Sequence, residues 1–166
     1  EVNPFDTDED FKLWLVTISN HKDCHMMIDL ETVGLIDSST IVQVGLAPFS
    51  PTGTGLFTYP YKGKEVSFVH NEVLKTTDQK RFSDPETIKW WYEKNKANVH
   101  LLTAGTTLLV KELKALSFVL PRNGNLWANS PTFDIDIIRH ACKQWNVPLA
   151  LSFRNEWDVR TATKMA

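Results

Sequence analysis

The stretch HMMIDLETVG, residues 25–34, limits the folds open to this chain more than any other segment. It begins with a mostly apolar run, and we interpret residues 24–30 as a buried β-strand. Because side chains two residues apart in a strand point to the same face, the carboxylates of Asp29 and Glu31 project side by side. Two such anions repel each other unless something positive lies between them, and hard divalent cations with oxygen ligands suit that position. The alternative is that Glu31 has left the strand and is solvated.

The remaining pattern predicts an α/β fold with a mixed β-sheet flanked by helices. Two further strands follow the acids, at residues 40–49 and 55–60, and the turn SPTGTG separates them. Helices are then expected from Ser83 or Asp84 and over residues 105–119 and 133–145, with strands at 125–129 and near 157–161 and an RNG turn at 122–124. In sheets of this kind, functional groups gather at the strand ends.

The domain organisation is simple. Residues 7–19 place apolar side chains at helical spacing, so we expect residues 1–23 to be an N-terminal extension with an amphipathic helix, ahead of one domain over residues 24–166. No apolar run approaches the roughly 20 residues of a membrane span. The acidic start, EVNPFDTDED, is unlike a signal or transit peptide, and two distant cysteines fit a reduced cytoplasmic protein. The net charge of -2 argues against tight binding of a phosphate backbone without metal.

A third acid stands at a second strand end. In WANSPTFDIDIIRH, a short strand ends near Asn129 and Asp134 starts the following helix, where it is a candidate third metal ligand. The alternative is that Asp134 only favours the helix dipole, an effect of about 0.3–1 kcal/mol. Asp136 lies further round the helix and is expected to be solvated.

The segment TIKWWYEK holds a candidate base-stacking residue. Ile88, Trp91 and Tyr92 form the inward stripe of a helix, and Trp90 falls off that stripe. An off-stripe tryptophan is either covered by a neighbouring segment or available to stack on a base.

Taken in order, the segments MIDLETVG, IVQVGLAPF, ETIKWWYEK, LWANSPTFDIDIIRHA and WDVRTAT resemble the phage- and prophage-type 3′–5′ exonucleases related to exonuclease VIII, over roughly residues 24–163. This group is akin to RNase T within the DEDD exonuclease superfamily. The resemblance implies an RNase H-like fold and hydrolysis of DNA or RNA from the 3′ end with two Mg²⁺ or Mn²⁺ ions. It also implies a cytoplasmic protein of a bacterial or phage-infected cell, and a possible homodimer.

The same resemblance assigns roles to individual residues. Asp29 and Glu31 match the first acidic motif and Asp134 the second, as catalytic metal ligands. Thr32 and Gly34 match positions where the loop after the acids approaches the terminal nucleotide, although an ordinary turn glycine is an equal alternative for Gly34.

The sequence departs from the superfamily at the third motif, which joins a fourth acid to a His five residues earlier or a Tyr four residues earlier. The late acid Asp158 is preceded at those positions by Phe153 and Arg154, so we expect Asp158 to be a structural acid paired with Arg160 or an acid that supports the metal ligands. The alternative is that Asp158 is the fourth metal-binding acid. His25 lies about 13 Å from Asp29 along the same strand, and His140 lies on another face of the second-motif helix.

We therefore expect a domain truncated before its C-terminal motif helix, with weak or absent hydrolysis, since a missing general base costs about 10²–10⁴-fold in rate. Two alternatives stay open: a catalytically inactive module that binds nucleic acid or a protein, and an unrelated metal-dependent phosphohydrolase acting on nucleotides. The sequence leaves open whether the substrate is DNA or RNA, and whether it is single- or double-stranded.

Overall fold

The structure is a computed structural model that describes residues 3–120 and 125–165, so the expected turn at 122–124 lies outside the described residues. The α-helices are α1 (Asp8–Ser19), α2 (Pro85–Glu93), α3 (Leu101–Ala104), α4 (Leu109–Val119), α5 (Pro131–Gln144) and α6 (Val159–Met165). The strands are β1 (His25–Thr32), β2 (Ile41–Phe49), β3 (Tyr59–Tyr61), β4 (Lys64–Val66), β5 (His70–Val73), β6 (Asn125–Ala128) and β7 (Glu156–Asp158). The described helices include none that is both long and apolar enough to span a membrane.

The central sheet has five strands in the order β5-β2-β1-β6-β7. Strand β1 pairs antiparallel with β2 and parallel with β6, while β2 pairs antiparallel with β5, and β6 pairs parallel with β7. The predicted mixed sheet flanked by helices is therefore confirmed. Strand β1 lies at its centre, between an antiparallel and a parallel neighbour.

The prediction for the third strand is only partly correct. Leu56 forms an isolated antiparallel bridge with Phe49 of β2, but residues 55–60 add no strand to the central sheet, and β3 pairs with β4 in a separate two-stranded sheet. The third antiparallel strand is β5, whose sequence HNEV lies in a polar region. Because β5 is an edge strand and none of its residues is fully buried, its sequence carries no apolar run that would predict a strand.

Helices α1, α4 and α5 contribute the main core together with one face of the sheet. Met26, Ile28 and Leu30 alternate along β1 and are at most 6% exposed, in one apolar cluster with side chains of all three helices. The alternation leaves the intervening residues of β1, including Asp29 and Glu31, on the opposite and more open face. Burial of one face thus dictates that both acids project from the other.

Helix α2 is fixed to the end of β1 by a second, smaller apolar cluster. Trp91 packs there with Val33 and Val42, and its indole Nε1 donates to the carbonyl of Thr32 at 3.1 Å. The Asp84 carboxylate caps the helix by accepting from two backbone amides, so Asp84 is the cap of the two candidates, Ser83 and Asp84, that the sequence offered. The predicted inward stripe is only partly correct, because Tyr92 is 57% exposed.

The helix predicted over residues 105–119 begins later than expected, at Leu109 of α4, and the short helix α3 that precedes it was not predicted. Gly105 is extended, with ψ 140°, and Thr107 bridges to Leu74 beside the sheet. The chain must approach the Leu74 backbone closely here, which interrupts the helix between α3 and α4. The last predicted strand is also shorter than expected, since β7 ends at Asp158 and α6 follows at once.

A buried acid-histidine pair predicts how the stability of this fold changes with pH. His70 on β5 bonds through Nε2 to the buried Glu112 carboxylate of α4 at 2.5 Å, and this bond raises the pKa of His70 above its ordinary 6.5. The stabilisation is complete below pH 6.5 and is lost as the pH rises through the higher folded pKa. We expect His70→Asn to cost on the order of 1 kcal/mol at pH 6 and clearly less at pH 9, measured by urea unfolding. A His70→Asn effect equal at both pH values would contradict this, and His100→Asn is the matched control.

Candidate active site

The site forms where β1 and β6 part. The two strands pair in register only from His25 to Met27. Beyond that point the backbone amide of Leu30 donates to Oδ1 of Asp134, in the first turn of α5, at 3.0 Å. Asp134 is 3% exposed, so the junction between β6 and α5 holds its carboxyl group directly against the strand that carries Asp29 and Glu31. The structure thus brings the three predicted acids to one end of β1.

The negative charges of these acids repel one another. Burial, and then the charge of Asp29, raises the pKa of Asp134 to about 6, although the Leu30 amide acts in the opposite direction. Burial and the same Asp29 charge also raise the pKa of Glu31 above its ordinary value. Raised pKa values mean that the carboxylate forms lack compensating positive charge. The protein groups of the site therefore leave its negative charge unbalanced.

The donor set matches the ligands of a hard divalent cation. All three groups offer carboxylate oxygens, which Mg²⁺ and Mn²⁺ prefer, and a cation would relieve the repulsion. Within residues 3–120 and 125–165, no group of three or more His, Cys, Asp or Glu side chains already has the spacing of a metal site. The chemistry and electrostatics of the three acids fit a cation, and their donors are not gathered at ligand distances.

A cavity of about 480 Å³ adjoins the acids and is called the Trp90 cavity here. Its walls come from the end of β1, the loop after it, α2 and α5, and include Glu31, Thr32, Gly34, Asp84, Trp90 and Phe133. Trp90 is 49% exposed, which confirms that it lies off the buried face of α2. Glu31 also lines a second cavity, of about 320 Å³, together with Asp29. Glu31 therefore connects the acids to the Trp90 cavity.

Thr32 and Gly34 shape the wall of this cavity. The hydroxyl of Thr32 donates to the carbonyl of Gly34 at 2.7 Å. A Cβ on Gly34 would lie 2.6 Å from the Ser39 hydroxyl, so close packing across the loop requires glycine at this position. The sequence identified Asp84 only as a helix cap and did not identify Glu86 or Phe133 as part of the site. Nothing local in the sequence marks Phe133, since its place depends on how α5 packs.

Asp158 has a structural contact of its own. Its carboxylate accepts from the Arg160 amide at 2.9 Å and from the Thr161 hydroxyl at 3.2 Å, at the start of α6. The Arg160 side chain lies 3.7 Å away, as the predicted pair requires. Through these bonds the Asp158 carboxylate stabilises the turn from β7 into α6.

The histidine rings bond elsewhere than to the three acids. His25 bonds to Asn125 and Trp127, His70 to Glu112, and His140 to Arg81. His21 packs on Phe57 and Tyr59, and His100 precedes α3. The hydrogen bonds recorded for the described residues join no histidine to Asp29, Glu31 or Asp134.

Comparison with protein families matches residues 24–166 to the 3′–5′ exoribonuclease Rv2179c-like domain. The chain belongs to this family. The Rv2179c-like domain family consists of 3′–5′ exoribonucleases, which are phosphodiester hydrolases. The matched range begins one residue before β1, so it includes all three acids and leaves out α1. A comparison with curated proteins gave no significant match.

Solved structures share the fold of this Rv2179c-like domain. A zinc-bound complex of E. coli exonuclease I with single-stranded DNA is similar with a TM-score of 0.63 and 12% identity, covering 87% of this chain and 30% of that chain. A complex of E. coli exonuclease I with a dT13 oligonucleotide gives a TM-score of 0.62 at 12% identity, over 87% of this chain and 29% of that one. The chain thus spans about 30% of the length of these enzymes, and the likeness shows the RNase H-like fold.

Proposed function

We propose that this chain is the nuclease domain of a metal-dependent 3′–5′ exonuclease that removes nucleotides from single-stranded RNA. The observation that carries the proposal is the position of Glu31, which lines the Trp90 cavity and stands beside Asp29 on β1. A 3′-terminal nucleotide in that cavity would place the phosphodiester on its 5′ side, which joins it to the preceding nucleotide, next to the acids. The family supports RNA as the substrate, and E. coli exonuclease I is seen with single-stranded DNA.

Asp29, Glu31 and Asp134 would hold the divalent cations. The chemistry that two such cations supply is activation of a water molecule and stabilisation of the leaving 3′ oxygen. The Leu30 amide donates to one carboxylate oxygen of Asp134 and so fixes the orientation of the whole carboxylate group, which leaves the second oxygen for a cation. Asp29 and Glu31 share a strand face and need no rearrangement of the backbone to act together.

The Trp90 cavity would bind the terminal nucleoside. The indole ring of Trp90 offers an exposed surface on which any base can stack, which gives affinity without base specificity. Glu31, Asp84 and Glu86 make the cavity wall acidic. Ribose hydroxyl groups, which donate hydrogen bonds, suit such a wall better than phosphate does. The phosphate would therefore lie toward the cation-binding acids.

Removal of the proton from the attacking water is the slow step that we expect for this chain, since no hydrogen bond among the described residues joins a histidine to the three acids. We expect slow hydrolysis, by about 10²–10⁴-fold relative to a site with a general base. A catalytically inactive, nucleic-acid-binding domain is the second candidate function, and this placement of the histidines favours it. The predicted homodimer and the kinship with phage-type exonucleases remain predictions.

The function is tested with a 5′-labelled, single-stranded RNA oligonucleotide, whose shortening from the 3′ end is followed on a gel with Mg²⁺ or Mn²⁺. We expect slow stepwise products that disappear with EDTA and with Asp29→Ala. Asp23→Ala, at an exposed acid before β1, is the matched control and should leave the rate unchanged. Binding of RNA without any metal-dependent products would favour the inactive domain. Absence of both binding and cleavage would overturn the proposal.

Trp90→Ala should weaken binding of RNA with a free 3′ end roughly ten- to hundredfold, because one base loses its stacking surface. Fluorescence anisotropy with Ca²⁺ in place of Mg²⁺ measures this without turnover. Tyr92→Ala is the matched control, since Tyr92 is an exposed aromatic residue of the same helix that does not line the Trp90 cavity. Equal losses in the two variants would exclude a specific role for Trp90.

A further inference from the structure

Arg81 lies in the segment between β5 and α2 and makes an unusual set of contacts. Its Nε donates to the Ser39 carbonyl at 2.7 Å, and its Nη2 donates to the Asp37 carbonyl. Its Nη1 donates to Oε1 of Gln144 at 2.9 Å and lies 3.1 Å from Nδ1 of His140. One guanidinium group therefore joins the loop between β1 and β2 to the far end of α5.

The loop that Arg81 holds is the one that forms the Trp90 cavity wall. Ser39 is fully buried, and its hydroxyl accepts from the Ile36 amide at 3.0 Å while packing against Gly34. The Val33 amide donates to the Thr40 carbonyl at 2.9 Å and closes the base of the loop. The position of Gly34 in the cavity therefore depends on where Ser39 is held.

The other wall of the cavity is attached to the same loop. The amide of Thr40 donates to the carbonyl of Phe82, and the amide of Asp84 donates to the carbonyl of Val33, both at 2.7 Å. Asp84 caps α2, which carries Trp90. The residues on either side of the cavity thus join at the segment that begins with Arg81.

We propose that Arg81 is a positioning residue that sets the width of the Trp90 cavity by fixing the Asp37–Ser39 part of the loop against α5. This inference rests on the proposed function insofar as the cavity receives the 3′-terminal nucleotide. Arg81 acts through the loop, and Glu31, Thr32 and Trp90 are the groups that would touch the nucleotide.

Arginine is suited to this role by its shape. The planar guanidinium presents several N–H donors in a fixed fork, so it satisfies two loop carbonyls and the α5 side chains at once. Burial lowers the pKa of Arg81 to about 10, and the group remains charged at neutral pH. A lysine has a compact ammonium group and cannot reach both carbonyls with the same geometry.

The test compares Arg81→Lys, which keeps the charge, with the matched control Arg154→Lys at an exposed arginine. We expect Arg81→Lys to weaken binding of a 3′-hydroxyl RNA oligonucleotide by about tenfold in Ca²⁺. Its affinity for Mn²⁺ should stay within about twofold, since Asp134 is held by Leu30 rather than by Arg81. Hydrogen exchange at the amides of Ile36 and Ser39 should accelerate, while exchange in β1 stays slow.

The outcomes separate this inference from the proposed function. Unchanged hydrogen exchange in the loop, or equal losses of RNA and Mn²⁺ affinity, would overturn the positioning role, because the second result indicates general destabilisation. If Arg81→Lys does not fold, Gln144→Ala removes one of the two α5 partners of Arg81, together with the bonds that Gln144 donates to the Gln79 and Lys80 carbonyls, and should give a smaller change of the same kind. If hydrogen exchange in the loop accelerates in Arg81→Lys but the wild-type protein binds no RNA, the proposed function is overturned, and the role of Arg81 in holding the loop is retained.

Discussion

Replacing Asp134 by Asn is expected to stabilise the metal-free protein at pH 8 by roughly 1 to 3 kcal/mol and to weaken Mn²⁺ binding at least tenfold. Burial raises the pKa of Asp134 from 3.8 to about 6, so at pH 8 the protein carries a buried charge beside Asp29. Asparagine removes that charge and keeps an oxygen that accepts from the Leu30 amide. The substitution therefore removes an electrostatic cost together with a proposed metal ligand.

The stabilisation expected from Asp134→Asn depends on pH. The folded pKa of Asp134 lies above the unfolded value, so its carboxylate destabilises the fold fully above about pH 6 and not below pH 3.8. Urea unfolding in EDTA should show the gain of Asp134→Asn at pH 8 and its loss near pH 4, and calorimetry should report the Mn²⁺ affinity. Asp136→Asn is the matched control on the same helix, where Asp136 pairs with Arg139 at 3.4 Å. A destabilised Asp134→Asn protein at pH 8 would contradict the electrostatic interpretation.

Replacing Gly105 by Ala is expected to cost about 3 kcal/mol or more of unfolding free energy. A Cβ at this position would lie 2.1 Å from the carbonyl oxygen of Leu74 and 2.8 Å from its backbone nitrogen. The Leu74 side chain is fully buried, and its amide donates to the Val42 carbonyl at 2.8 Å, so this backbone has no room to retreat. The φ of Gly105 is -69°, which any residue adopts, so the expected cost comes from the clash alone.

Urea unfolding measures this cost directly. Gly53→Ala is the matched control, because its Cβ would meet only the Ser50 side chain, at 3.3 Å, in an exposed turn. We expect the control to change the unfolding free energy by less than about 0.5 kcal/mol. If the two variants were equally stable, the close approach between Gly105 and Leu74 would be absent from the folded protein.

The alternation and capping patterns of single segments were sufficient to predict several parts of the structure. The apolar run before Asp29 predicted β1, and the D-x-E spacing placed both acids on its open face. Asp84 and Pro85 predicted the start of α2, and the off-stripe position of Trp90 predicted its exposure. These features follow from periodicity and from local hydrogen bonds, which neighbouring residues in the chain determine.

Contacts between distant segments had to come from the tertiary structure. The third central strand is β5, an edge strand whose polar sequence gives no signal, and the break between α3 and α4 results from the Leu74 backbone. Arg81 was not singled out, because its partners lie more than 40 residues away in the chain. The bond from Leu30 to Asp134 joins residues 104 positions apart, and the sequence supplied both residues but not their contact. Residue types and local periodicity thus determined which groups the site contains, while the packing of α5 and α2 against β1 decided how they meet.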